Sequence, residues 1–141
     1  MTLNVADWAN MSVKEYRVRT SGRIQFVNIT SSVEEAVTES GVEDGLAVVY
    51  VPHTTAGVTI NENADPSVPR DIQAHLAAMI PRSSAFTHAE GNSDSHIMAS
   101  LVGSSQTVII RGGRLLLGTW QGIFFCEFDG PRSRRYVVSC T

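Results

Sequence analysis

Long apolar runs are missing from this chain. The longest, such as LAVVYV at 46–51, extends only a few residues, against the roughly 20 that a membrane-spanning helix needs. A basic excess is missing too. Eleven Lys and Arg against fourteen Asp and Glu give a formal net charge of −3, which leaves no electrostatic footprint for nucleic acid. Cysteine is scarce: Cys126 and Cys140 have neither metal-motif spacing nor the number for a disulfide framework. No basic stretch running into an apolar one stands at the N-terminus, so no signal peptide is expected. These absences predict a reduced, cytoplasmic protein that engages neither membrane nor nucleic acid.

What is present reads as one compact domain. Of 141 residues, 43% are hydrophobic and 18% charged, enough apolar surface to close a core and too little charge for a disordered chain. The opening MTLNVADWANMS has no clear period and is read as an extension over residues 1–13, with the domain over 14–141. KEYRVRT and RIQFVNI read as β-segments split by Ser21-Gly22. In TSSVEEAVTESGV, Ser31 and Ser32 each precede a glutamate by three residues, and Gly41 can close the helix, which predicts a helix over 32–40. GLAVVYVP reads as a strand buried on both faces, and GVTINEN as a second strand. Val68, Ile72, Leu76 and Met79 form one face of a helix capped by Asp65 or Ser67 and ended by Pro81. DSHIMASLVG predicts a short helix with Ile97 and Leu101 inward and Gly103 at its end. QTVIIR and RLLLG face each other across the Gly112-Gly113 turn, and DGPRS joins GIFFCEF to RRYVVS. The expected class is α+β, β-sandwich-like, with a mainly antiparallel β-core and about three short helices.

Polar groups concentrate where these elements end. In VPHTTAGV an apolar strand delivers His53, Thr54 and Thr55 to its edge, followed by Ala56 and Gly57, which let something approach the backbone. In INENADP, Asn61 and Glu62 end a strand and Asp65 precedes a helix. In HAEGNSDSHI, residues His88, Glu90, Asn92, Asp94 and His96 alternate, so an extended chain would line them along one side. A helix capped by Ser93 would instead put Asp94 in the first turn and turn His96 away from it. His88 and His96 could hold a metal, but zinc would need a third ligand such as His53. In GTWQGIFFCEF, Trp120 and Gln121 sit between glycines, where the indole could stack on a planar ring or plug the core. Arg132, Arg134 and Arg135 could hold a phosphate or coat an exposed strand.

HTTAGVTINENADPSVPRDI, EGNSDSHIMASLVGSS and GRLLLGTWQGIFFCEFDGPRSRR, in this order, closely resemble the motifs of the YjbQ-like family, from about Lys14 to Val138. Its members are small proteins often labelled secondary thiamine-phosphate synthases. Pro69, where relatives keep a helix former, and the segment before Lys14 depart from the pattern. The resemblance implies a homotrimer with polar pockets near subunit contacts. It also implies a transferase activity, joining an aminopyrimidine diphosphate to a thiazole phosphate with release of pyrophosphate. Carried onto this sequence, the site falls on His53, Asp94 and His96 as catalytic groups. Thr54, Asn61, Glu62, Trp120 and Gln121 fall to the small phosphorylated substrate, to which the polar loop and the arginine cluster add Asn92 and Arg132 as candidates.

Such chemistry asks a protein to bind a diphosphate, favour its departure and orient the thiazole nitrogen. Histidines, an arginine and a divalent metal, Mg²⁺ or Zn²⁺, would suit the leaving group. The sequence has no dense acidic Mg²⁺ site and no glycine-rich phosphate loop, which makes the synthase reaction a side activity on this reading. Two alternatives stay open: a metal-dependent hydrolase built on His53, His88 and His96, and a non-catalytic module that binds a small anion.

Overall fold

A computed structural model describes residues 12–141. In chain order its elements are β1 (Ser12–Arg19), β2 (Gln25–Asn28), α1 (Thr30–Ser40), β3 (Asp44–Tyr50), β4 (Ala56–Glu62), α2 (Ser67–Met79), α3 (Ser93–Val102), β5 (Ser105–Arg111), β6 (Arg114–Leu115), β7 (Gln121–Glu127) and β8 (Ser133–Cys140). The strands form two antiparallel sheets, ordered β1-β8-β3-β5-β6 and β2-β7-β4. This is the expected α+β sandwich. Residues 1–11, most of the expected extension, lie outside the described residues, and β1 already begins at Ser12.

The inner faces of the sheets share one core, in which Val49 and Ile110 meet Val58, Ile123 and Phe125, with Val33 and Val37 of α1 packed in. The other face of the smaller sheet, through Phe124 and Cys126, is covered by Met98 and Ala99 of α3, with Leu76 of α2 packed alongside. Among the described residues nothing comparable covers the outer face of the larger sheet. Leu46 and Ile109 are register partners across β3 and β5, and both are exposed, as is Tyr50. Among the described residues no helix is long and apolar enough to cross a membrane.

Most local expectations hold, and their failures have physical causes. Gly41 closes α1 in the left-handed region at φ 70, and Gly112 and Gly113, at φ 58 and 74, make the β5–β6 hairpin turn. Neither serine caps α1. It starts at Thr30 instead, whose N–H and hydroxyl both donate to Asn28 Oδ1. Asp65 does cap α2, accepting from the Ser67 N–H and hydroxyl. The face of α2 ends on Ile80, and Met79 is exposed. β3 is buried on one face only, alternating Ala47, Val49 and Val51 inward, because it lies in an antiparallel sheet covered on one side. In α3 the inward stripe is Ser95, Met98, Ala99 and Val102, while Ile97 and Leu101 face outward, Leu101 at 62% exposure. Stripe members one, three and four residues apart occupy one helical face, and here a buried serine rather than Ile97 sets its phase.

One buried ion pair joins the sheets. Glu127 ends β7 and Arg134 lies in β8, and both are buried. Arg134 Nε donates to Glu127 Oε1 at 3.0 Å, and its Nη2 donates to Oε2 at 2.6 Å and to Thr55 Oγ1 at 2.8 Å. The carboxylate also accepts from the Thr20 hydroxyl at 2.7 Å and from the backbone N–H groups of Phe128 and Asp129. Burial alone would raise the Glu127 carboxyl, but donation from Arg134, Thr20 and Asp129 outweighs it and holds the group below its ordinary range. Removing one member strands the other charge, so Arg134→Met is expected to lower the unfolding free energy by about 3–5 kcal/mol. The double variant with Glu127→Gln should recover part of that loss. Urea titrations of the two variants check this, and a double variant no more stable than Arg134→Met alone would refute it.

Candidate functional site

The segment after β3 carries His53 and Thr54 across the end of the sandwich. Val51 N–H donates to Ser104 O at 2.8 Å, tying this segment to the turn after α3. His53 Nε2 accepts the Arg135 N–H at 3.0 Å. A backbone N–H can only donate, so Nε2 is bare and the neutral ring carries its proton on Nδ1. Burial, and then the nearby Arg134 charge, lower the pKa of His53. Since the folded ring titrates below its ordinary value of 6.5, it is neutral at pH 7.

His96 reaches the same place from α3. His53, Thr54, Ala56, His96, Ala99, Ser100, Gly103 and Ser104 line one pocket of about 380 Å³, with Tyr50, Pro52 and Arg134 at an adjoining opening. The pocket floor depends on a close approach of two backbones. A Cβ added to Gly57 would sit 2.5 Å from Gly103 O, the acceptor of the Val58 N–H. His88 stands edge-on to His96, with ring centroids 5.4 Å apart, and lies 3.9 Å from the Glu90 carboxylate. Thus HAEGNSDSHI is not the extended ladder its alternation suggested. It turns into α3 at Ser93, which sends Asp94 and His96 to different surroundings.

Among the described residues Asp94 contacts no histidine. It is 1% exposed and paired with Arg23 from the β1–β2 loop, which also reaches Ser95 Oγ at 3.4 Å. Asn92, also buried, donates to Asp129 Oδ2 at 2.8 Å, and Arg132 binds the same carboxylate at 2.8 Å. Asp94 and Asn92 therefore anchor the start of α3 and have no surface to offer a substrate. The three arginines also separate: Arg132 pairs with Asp129, Arg134 turns inward to Glu127, and Arg135 faces outward to Glu15 at 3.4 Å. They make no common phosphate patch.

Asn61, Glu62, Trp120 and Gln121 lie elsewhere. β4 runs from Ala56, opposite Glu127, to Glu62, opposite Gln121, so six residue steps separate its two ends, roughly 20 Å at about 3.3 Å per residue. Asn61 Oδ1 accepts the neighbouring Glu62 N–H, and Trp120 is 63% exposed. Within one chain, the HTTA and GTWQG motifs do not meet. The indole does not plug the core either.

A family model described as UPF0047 protein YjbQ-like matches residues 14–141. The chain belongs to this family. It is 60% identical over 124 residues to the UPF0047 protein MJ1081 of Methanocaldococcus jannaschii, covering 88% of this chain and 90% of the relative. Against UPF0047 protein YugU of Bacillus subtilis it is 49% identical over 127 residues, with 89% and 96% covered. The crystal structure of an uncharacterized conserved YjbQ/UPF0047 family protein from Clostridium acetobutylicum matches with a TM-score of 0.89 at 58% identity, covering 91% of this chain and 99% of that one.

In this YjbQ-like chain a divalent metal would need about three protein donors. Among the described residues no group of three His, Cys, Asp or Glu side chains is placed to hold one. His53, His88 and His96 therefore do not form the expected zinc set within one chain, and no chemical step is assigned to a metal. Sequence reasoning overlooked Glu127 and Arg23 and read Arg134 as an outward basic group, whereas these residues position the pocket without lining its floor. The available signal was an acid in the apolar strand GIFFCEF, since a buried charge requires a partner. Nitrogen-detected NMR should find the Nδ1–H tautomer of His53 and a titration midpoint below 6.5. A midpoint at or above that value, or a proton on Nε2, would show that the Arg135 contact does not hold in solution.

Proposed function

We propose that this YjbQ-like protein is an enzyme acting on small phosphorylated heterocycles at the His53–His96 pocket. Its reaction is thiamine-phosphate synthase-like: the thiazole nitrogen bonds to the methylene carbon of the aminopyrimidine diphosphate, the carbon–oxygen bond breaks, and pyrophosphate leaves. The observation carrying this reading is that two histidines from separate segments converge on one hydroxyl-rich pocket. A volume of about 380 Å³ falls among ordinary small-molecule sites of about 300–1,000 Å³.

His53 Nδ1–H serves as a neutral hydrogen-bond donor to a departing pyrophosphate oxygen, since its other nitrogen is engaged. His96, whose ring accepts no such backbone N–H among the described residues, is the general acid or phosphate contact. Thr54, Ser100 and Ser104 supply further hydroxyls beside them. Among the described residues the pocket lining includes no carboxylate, which fits the view that the synthase reaction is secondary to another substrate of the same class. A reduced, cytoplasmic setting suits two cysteines that are both free and buried.

His96→Ala is expected to slow condensation of the pyrimidine diphosphate with thiazole phosphate by about a hundredfold or more. An unchanged rate would remove His96 from the reaction. Saturable pyrophosphate binding by the unaltered protein without turnover would turn the reading into a small-anion-binding module.

The homotrimer implied by the family resemblance would use the uncovered face of the larger sheet, around Leu46, Tyr50 and Ile109. Apolar faces of this kind are typical of self-association sites. Tyr50 also stands at the opening beside His53, so a second copy there would approach the pocket. Light scattering should give the mass of three chains, and Ile109→Lys should give the mass of one. A monomer before substitution, or a trimer after it, would refute this interface.

A further inference from the structure

A second polar cleft lies away from the histidine pocket. It opens at the other end of the sandwich, where α1, the β5–β6 hairpin and the turn before β7 meet, and has a volume of about 560 Å³. Two opposite charges line it: Arg114, brought in by the Gly112-Gly113 turn, and Glu34 on α1. Neither forms an ion pair with the other or with another described residue, so they stand more than salt-bridge distance apart while facing one space. The rest of the lining is mixed: Thr30, Thr38, Asn63 and Thr119 are polar, and Val37, Leu115 and Leu117 supply an apolar strip on the side of the β5–β6 hairpin. At Leu117 and Gln121 the cleft continues into a shallower groove of about 220 Å³, lined in part by Ile60 and Val108. Gln121 Oε1 is already occupied by the Gly118 N–H, which leaves its amide nitrogen as a donor toward an acidic group.

A separated cation and anion beside an apolar channel match one kind of small molecule. The ligand must carry a carboxylate for the Arg114 guanidinium and an ammonium for the Glu34 carboxylate, with an apolar stem for the channel. We infer that this cleft binds a free α-amino acid with an apolar side chain, of the leucine class. The carboxylate takes paired N–H donors from Arg114, helped by the Gln121 amide. The ammonium lies against Glu34, and the side chain runs over Leu117 toward Ile60. The site is independent of the histidine pocket, since the two occupy opposite ends of β4 and β7.

Calorimetric titration of the full chain with L-leucine tests this, beside 4-methylpentanoate, which lacks the ammonium, and 3-methylbutylamine, which lacks the carboxylate. Leucine should bind saturably with a Kd at or below about 1 mM, and each analogue should bind at least about tenfold more weakly, since each forfeits a charge-assisted hydrogen bond. Arg114→Met and Glu34→Gln should each weaken leucine by a similar factor, while His53→Ala and His96→Ala leave it unchanged. Both substituted side chains are exposed, so the fold should persist. As a second measurement on the unaltered protein, leucine should shift the amide resonances of Leu115, Leu117 and Gly118. Absence of saturable leucine binding, an analogue that binds as well as leucine, or shifts gathered around His53 would each overturn the proposal. Loss of the synthase reaction alone would leave it standing.

Discussion

The Glu127–Arg134 pair is the constraint on which the rest of the molecule depends. It lies where the two sheets come together, and its hydrogen bonds reach Thr20 after β1 and Thr55 before β4. An ion pair of this kind adds little net stability over a well-packed apolar substitute. Its contribution here is registry. With Arg134 turned inward, the alternation of a strand sends Arg135 outward, and the Arg135 N–H then falls within reach of His53. The tautomer of the pocket histidine is thus fixed by a carboxylate that never touches it. The same pair is sensitive to acid. Because the folded Glu127 carboxyl sits below its ordinary value of 4.5, its contribution is complete above that pH and fades as the pH falls through the lower folded value.

Much of the architecture was legible in the sequence because local chemistry and tertiary structure agree there. Gly41, Gly112-Gly113 and Asp65 stand where only their conformational or capping properties serve, and the structure uses them so. Failures came where a side chain acts against its type. Ser95 is buried in the stripe that closes α3 on the smaller sheet, donating to Phe128 O, so the apolar Ile97 was the wrong guide to the helix face. LAVVYV is apolar throughout, yet the described residues cover it on one side only, and no periodicity can show which side that is.

The site was legible in part and for a similar reason. His53, Thr54 and His96 do share a pocket, as the polar ends of their segments suggested. Asp94 and Asn92 lie in the same motif but serve as anchors, because a helix turns successive polar residues to different sides. RSRR looked like one basic patch and is three separate pairings, because a strand alternates its faces. GTWQG and HTTA, both polar and both beside glycine, lie at opposite ends of the same strands. Linear order carries no information on that distance until the register is known.

Gly57 has a further consequence. Beneath the lining residues Ala56 and Gly103 it lets two main chains approach directly, with the Val102 side chain packed alongside. The depth of the His53–His96 pocket is therefore set by sheet geometry, which sequence variation around the rim cannot easily alter. Changes at Thr54, Ser100 or Ser104 can retune what the pocket recognises, but a larger guest would have to extend outward past Tyr50, over the open sheet face.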